Sequence, residues 1–251
     1  MGHTYAFSDA HGCWEPFQQL LEFIKPEDKV YCLGDCGDRG DEGWKIIKTV
    51  IKDKRFTYLK GNHEDMLTKA IDAYYYIRST FTYPEDENKD EIDYELFMNN
   101  SYYLLERNGG AKTFADWRNS DLRGLHGRII KNLPLEKVYF NKQGQKVILT
   151  HAGYTPHLHT SISEEDYIWN RYHFNQKWDD SFPDVVMVHG HTPVPYMDEF
   201  LRDCPKKIDG ALWYCNNHKV NIDMCTVMTG EICLLDLDTW EQHIFKDNKI
   251  S

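Results

Sequence analysis

Five short segments concentrate side chains able to hold divalent cations: Ser8-Asp9-Ala10-His11-Gly12, Gly34-Asp35-Cys36-Gly37-Asp38-Arg39-Gly40, Gly61-Asn62-His63-Glu64, His151-Ala152-Gly153 and His189-Gly190-His191-Thr192-Pro193. A carboxylate and an imidazole two residues apart on a loop after a strand can face one cation, and a neighbouring glycine lets the backbone turn without a Cβ clash. Asp9 and His11 meet that need. Asp35, on the next such loop, has two oxygens that two cations can share, while the amide oxygen of Asn62 and the imidazoles of His151 and His191 complete a second cation site. The donors are oxygens and imidazoles with no thiolate, which favours manganese, iron or zinc in a two-metal hydrolytic centre over a closed structural zinc site. Singly, each residue would read as a polar turn residue capping a helix. Together they do not, because the five fixed positions of Gly-Asp-x-x-Asp-Arg-Gly should recur by chance at roughly one start point in a million.

Such loops need strands to carry them. His3 to Phe7, Lys29 to Leu33 and Arg55 to Leu59 read as short strands, each running into one of the first three loops. Trp14, Phe17, Leu20, Leu21 and Ile24 mark one face of a helix between them; Trp44, Ile47, Val50 and Ile51 mark a second, and Met66, Leu67, Ala70 and Ile71 a third. Strands alternating with helices predict a parallel sheet of the α/β type, with the polar loops at the carboxyl ends of the strands. Residues 74–110 break the rhythm with Tyr74-Tyr75-Tyr76, the acidic run Pro84 to Glu91 and Asn108-Gly109-Gly110; they predict a helical insertion, about 74–124, joined by a mobile, solvated loop rather than a lid. Strands return at Lys146 to Leu149 and Val185 to Val188. Two antiparallel hairpins are expected after them: Ala211 to Cys215 with Lys219 to Asp223, and Cys225 to Met228 with Ile232 to Leu237. No repeat or linker-like stretch divides the chain, so one domain with two sheets, an α/β (α+β) architecture over residues 1–251, is the simplest account.

Composition narrows the partners. The 251 residues carry 29 basic and 40 acidic side chains, a net charge of -11, the wrong sign for gripping a nucleic acid polymer through its phosphates. No run of about 18 apolar residues spans a membrane, and the first residues show no secretory or lipidation signal. The 7 cysteines, with no CxxC pair, fit reduced thiols and a cytoplasmic location.

The motif series DxHG, GDxxDRG, GNHE, HAG and GHTP resembles the phosphoprotein phosphatase branch of the calcineurin-like metallophosphatases, with bacterial and bacteriophage members closest. The resemblance runs from about residue 4 to residue 237, and Ile168-Trp169-Asn170-Arg171 supports it late in the chain. It implies two mixed β-sheets packed as a sandwich with helices outside. It implies a first metal on Asp9, His11 and Asp35, a second on Asp35, Asn62, His151 and His191, and a hydroxide bridging them that attacks phosphorus. Arg39 and Arg171, with Asn62, would bind the phosphate, and His63, oriented by Asp38, would protonate the leaving oxygen. Paired guanidinium groups suit the charge on phosphoryl oxygens, and a histidine bonded to a carboxylate suits a general acid. The sequence departs from the family at Ser8, where glycine is usual, and at Pro193, where related phosphodiesterases carry a further histidine ligand; the first metal should therefore exchange more readily.

The leading expectation is a protein serine/threonine phosphatase, loaded most readily with manganese and acting on a phosphorylated protein or peptide. The alternative is a dinucleoside polyphosphate hydrolase, with aromatic residues of the insertion stacking on a base, or another small phosphoesterase. A non-catalytic metal-binding module comes last, since a scaffold has no use for His63 with Asp38. His189 is expected to be a core residue, His157, His159 and His173 surface residues, Cys36 a small residue that fits, and Glu64 a support for its loop through backbone hydrogen bonds.

Overall fold

A computed structural model describes residues 2–80, 89–155, 162–202, 204 and 209–250. The first half follows the expected alternation: β1 (Thr4–Phe7), α1 (Trp14–Phe23), β2 (Lys29–Cys32), α2 (Gly43–Lys52), β3 (Phe56–Tyr58) and α3 (Asn62–Thr80). The three strands pair in parallel, with Thr4 opposite Lys29 and Val30 opposite Phe56. Four helices follow, α4 (Lys89–Phe97), α5 (Asn100–Arg107), α6 (Ala111–Arg118) and α7 (Arg123–Lys131), before β4 (Glu136–Phe140), β5 (Lys146–Thr150), α8 (Glu164–Trp169) and β6 (Val185–His189). The chain ends with β7 (Leu212–Tyr214), β8 (Lys219–Asn221), α9 (Thr226–Thr229), β9 (Glu231–Asp236) and β10 (Gln242–Lys246).

The strands form two mixed sheets, ordered β10-β9-β1-β2-β3 and β4-β5-β6-β8-β7. Between them lies an apolar layer from both: Ala6, Leu33, Leu59 and Leu235 face Val147, Leu149, Val188, Val220 and Ile222. Tyr5 and Phe7 alternate to the other side of β1, where Phe17, Leu20, Ile47 and Met66 of α1 to α3 cover them. A strand buried on both faces reads as a continuous apolar run, as Thr-Tyr-Ala-Phe does. No helix among the described residues is long and apolar enough to cross a membrane.

Three expectations need correction. α3 runs on through Tyr74-Tyr75-Tyr76 to Thr80, because Tyr74 and Ile77 continue its buried face, so the break comes later than residue 74. Cys225 to Met228 is not a strand: Thr226–Thr229 is a helical turn between left-handed Cys225 (φ 59°) and Gly230 (φ 71°). Its start is fixed by Cys225 N–H donating to Asp223 Oδ1 (2.8 Å) and by Thr226 Oγ1 donating to the Asp9 carbonyl (2.9 Å). β9 instead pairs with β1 and with β10, a strand whose alternation of exposed and half-buried residues carries little apolar signal. Residues 84–88 of the acidic run, with His157 and His159, lie outside the described residues.

Candidate metal centre

The parallel strands β1, β2 and β3 of one sheet and β5, β6 and β8 of the other end on the same side, so their outgoing loops meet at one point. Cross-sheet hydrogen bonds fasten them. His191 N–H donates to Asp9 Oδ2 (3.0 Å), and His151 Nδ1 donates to the Leu33 carbonyl (2.9 Å). Gly190 is required by this approach, since a Cβ there would lie 2.1 Å from Asp9 Oδ2. Ser8 leaves the loop intact, because the left-handed turn falls on the next residue.

Asp9, His11, Asp35, Asp38, Arg39 and His191 all have positive φ, from 41° to 67°. Such conformations in non-glycine residues cost about 1 kcal/mol or more each and persist only where the surroundings over-determine them. Glu64 does that work around Asp35: its buried carboxylate accepts the backbone N–H groups of Asp35 (2.8 Å), Cys36 (3.1 Å) and Gly61 (2.9 Å) and the Tyr58 hydroxyl (2.6 Å). This is the support role its sequence position suggested.

The donor set converges as two groups that share Asp35, one with His11 and His63 and one with His151 and His191. His11 Nδ1 donates to the Gly37 carbonyl (3.0 Å), which leaves Nε2 as a lone pair facing inward; the His151 ring is turned inward the same way, and Asp35 holds that imidazole up to about 9 against burial. Asn62 Oδ1 lies 2.9 Å from His151 Nε2 and 2.9 Å from His191 Nδ1, and Asp35 Oδ2 lies 3.4 Å from His151 Nε2. Asp9 Oδ1 and His191 Nε2 are buried without a hydrogen-bond partner among the described residues. Buried polar atoms left unpaired are costly unless a cation reconciles them, so the residues fit divalent ions. Charge follows the same logic. Burial pushes the Asp9 carboxyl up, whereas Asp35, which burial would also raise, is held well below the usual carboxylate range by His151 and His63.

Beside these donors, Asp38 Oδ2 accepts from His63 Nδ1 at 2.7 Å, both buried. Burial opposes protonation of His63, but the charge of Asp35 and the bond to Asp38 outweigh it and hold the imidazole above its ordinary range. Exposed Arg39 places its guanidinium 2.9 Å from His11 Nε2 and 3.1 Å from His63 Nε2. Arg171, half-buried, stacks over Phe200 (5.9 Å) and lies within electrostatic reach of Asp9, Asp35, Asp223 and Arg39. Every residue singled out from the sequence as a candidate ligand, acid or phosphate binder is thus gathered in one place.

Two neighbours were given no role and a third was misplaced. Asp223, buried at the exit of β8, is pushed well above the carboxylate range by burial and by Asp9; it follows its strand as Asp9 and Asp35 follow theirs, which is the signal that could have found it. Trp169 meets the His191 ring edge-on (5.9 Å). His173, expected at the surface, is fully buried: its Nε2 donates to the Ala152 carbonyl (2.9 Å), and Lys219 Nζ lies against its Nδ1 (3.4 Å) and carbonyl (2.9 Å). Nothing local in the sequence marks that position as interior. His189 is a core residue as expected, accepting from the Tyr214 hydroxyl (2.7 Å), and burial holds the Cys36 thiol up and unreactive.

Residues 2–225 match the family of calcineurin-like phosphoesterases, and the chain belongs to it. A bis(5'-nucleosyl)-tetraphosphatase PrpE (asymmetrical) of Anoxybacillus flavithermus is 23% identical over 90% of this chain and 87% of its own length. A symmetrical bis(5'-nucleosyl)-tetraphosphatase of Buchnera aphidicola is 39% identical over 66 residues, and that match spans only 24% of each chain. The same fold is seen in a crystal structure provisionally described as a diadenosine tetraphosphatase, with a TM-score of 0.58, 13% identity and coverage of 98% of this chain and 93% of that one.

Proposed function

We propose that this phosphoesterase uses two divalent ions, manganese, iron or zinc, and hydrolyses dinucleoside polyphosphates. The convergence of Asp9, His11, Asp35, Asn62, His151 and His191 from separate strand ends carries the reaction type. Bound there, the ions would neutralise phosphoryl charge and make a nucleophile available from water near neutral pH. Arg39 and Arg171 would hold phosphoryl oxygens, helped by the Asn62 amide. His63, with its tautomer set by Asp38, would deliver a proton from Nε2 to the leaving oxygen.

Two observations favour a nucleoside-bearing substrate over a phosphoprotein. The relatives above carry that activity in their names. A hollow of about 530 Å³ is lined by Arg171, by Thr192, the residue after ligand candidate His191, and by Pro193, Tyr196, Glu199 and Phe200. Aromatic faces beside a phosphate-binding arginine suit a base more than a flexible peptide. This moves the expected stacking residues from the insertion to the segment after β6. The protein serine/threonine phosphatase remains the second reading, on the completeness of the His63, Asp38, Arg39 and Arg171 set.

The deciding experiment compares kcat/KM of manganese-loaded enzyme on diadenosine tetraphosphate, a phosphoserine peptide, p-nitrophenyl phosphate and its bis ester. The tetraphosphate should lead by tenfold or more, a working threshold of about 1.4 kcal/mol. A phosphopeptide in first place would install the second reading, and turnover of none would remove the hydrolase assignment.

A further inference from the structure

The geometry points to Thr113 and the Gly109-Gly110 turn as the device that positions the acid pair Asp38–His63 and the Arg39 side chain, from outside all five ligand loops. It rests on the phosphoester hydrolase reading only where it speaks of catalysis.

Asp38 and Arg39 are consecutive non-glycine residues in left-handed backbone, φ 66° and 64°. A strained pair of this kind must be held from elsewhere. Their two successive N–H groups leave the loop: Asp38 N–H donates to Thr113 Oγ1 (2.9 Å) and Arg39 N–H donates to the Gly109 carbonyl (2.9 Å). Gly109, itself at φ 85°, lies so close that a Cβ would come 3.0 Å from Arg39 Cα; a Cβ on Gly110 would meet Asp38 Oδ2 at 2.9 Å and Leu105 Cδ1 at 2.3 Å. Glycine at 109 lets the two backbones touch, and glycine at 110 leaves room for the Leu105 and Asp38 side chains.

The turn is a firm support because its helices are anchored in the core. Thr113 is 2% exposed in the first turn of α6. Phe114 and Trp117 of the same helix pack their rings at 5.3 Å, and Phe114 meets Tyr102 of α5 at 5.1 Å. On the far side of the loop, Asp38 Oδ2 sits 2.7 Å from His63 Nδ1, while Asp38 Oδ1 is buried without a hydrogen-bond partner among the described residues. Among those residues the carboxylate is thus aimed by its backbone and by His63. Removing the Thr113 acceptor leaves a buried N–H unpaired, a state that costs more than the bond itself is worth. The peptide turns to escape it and carries the carboxylate off His63. Thr113 is a positioning residue: it acts through Asp38, and the insertion buttresses the site.

Thr113→Val removes the acceptor at constant shape, and Thr113→Ser keeps it. The valine enzyme should lose about tenfold more kcat on glycerol 2-phosphate, an alkyl ester that needs the acid, than on p-nitrophenyl phosphate, while the serine enzyme behaves as wild type. A second readout needs no turnover. The His63 Nδ1 proton, assigned by its loss in His63→Asn, should move or exchange away in the NMR spectrum of Thr113→Val and stay in place in Thr113→Ser. Thr113→Ala repeats both measurements if the valine variant does not fold. Equal losses on both esters with an unmoved proton resonance would reduce Thr113 to general fold support and overturn the inference. If wild type hydrolyses neither ester, the hydrolase reading fails by itself and the resonance still decides the positioning claim.

Discussion

At the ends of β1 and β2 the backbone itself is bent to its task. Asp9, His11, Asp35, Asp38 and Arg39 are all left-handed; the N–H of Asp35 is held by Glu64, those of Asp38 and Arg39 by Thr113 and Gly109, and those of Asp9 and His11 by the carbonyls of Gly34 and Asp35. At the ends of β5, β6 and β8 only His191 among the candidate ligands shows that conformation, and the support comes from buried side chains that bond to one another and to backbone carbonyls. Behind it lies a buried polar network: Lys219 Nζ donates to Thr155 Oγ1 (2.7 Å) and the His173 carbonyl (2.9 Å), and the Tyr214 hydroxyl bridges to His189 (2.7 Å). Strain held by the main chain tolerates few residue types. A side-chain network tolerates more, provided every buried polar group finds a partner. The first half of the site should therefore fail sharply when altered, and the second half by degrees.

Asp35→Asn tests the sharp side hardest, because one oxygen pair serves both donor groups. Metal analysis should show both ions lost and activity reduced by about a thousandfold, whereas His191→Asn should keep one ion; retention of two ions by Asp35→Asn would refute the shared role. Next comes His63→Asn, which should lower kcat about a hundredfold on alkyl phosphates and much less on aryl ones. Uniform losses across leaving groups would show that His63 is not the acid.

The graded side is probed by stability. Burial lowers the Lys219 ammonium to about 8 from its ordinary 10.5. Because the unfolded chain then binds more protons between those values, folding stability should rise as pH climbs from about 8 towards 10.5, by a few kcal/mol at most. The difference in urea midpoint between wild type and Lys219→Met should follow that slope, and a difference independent of pH would mean that the ammonium is not buried as described. The smallest effect is expected from Tyr196→Ala: a KM for diadenosine tetraphosphate raised severalfold, about 1 kcal/mol of lost stacking, with glycerol 2-phosphate unaffected. An unchanged KM would clear the hollow of any role in base binding without touching the metal centre.

The candidate ligands were legible because each sits at a strand exit with a glycine within three residues, a local pattern with few chance competitors when it recurs five times. The strands β1 to β3 and helices α1 to α3 were legible from period alone, apart from where α3 stops. β10 was not, since an edge strand that alternates half-buried with exposed residues has little to distinguish it, nor was the helical turn at Thr226, whose Thr-Val-Met-Thr sequence satisfies strand and helix equally. Asp223 escaped because no glycine or histidine flagged it.

From the chain alone came the chemical inventory: hard and borderline donors, an acid pair, two arginines and the strands able to carry them. Only the folded molecule decided that Thr113 and Gly109, some seventy residues along the chain, hold the Asp38–Arg39 peptide groups, and that His173 and Lys219 lie inside. Residue type and spacing are local quantities, but which buried N–H or ammonium meets which acceptor depends on how two sheets and a helical insertion close on one another, and no short stretch of sequence encodes that contact.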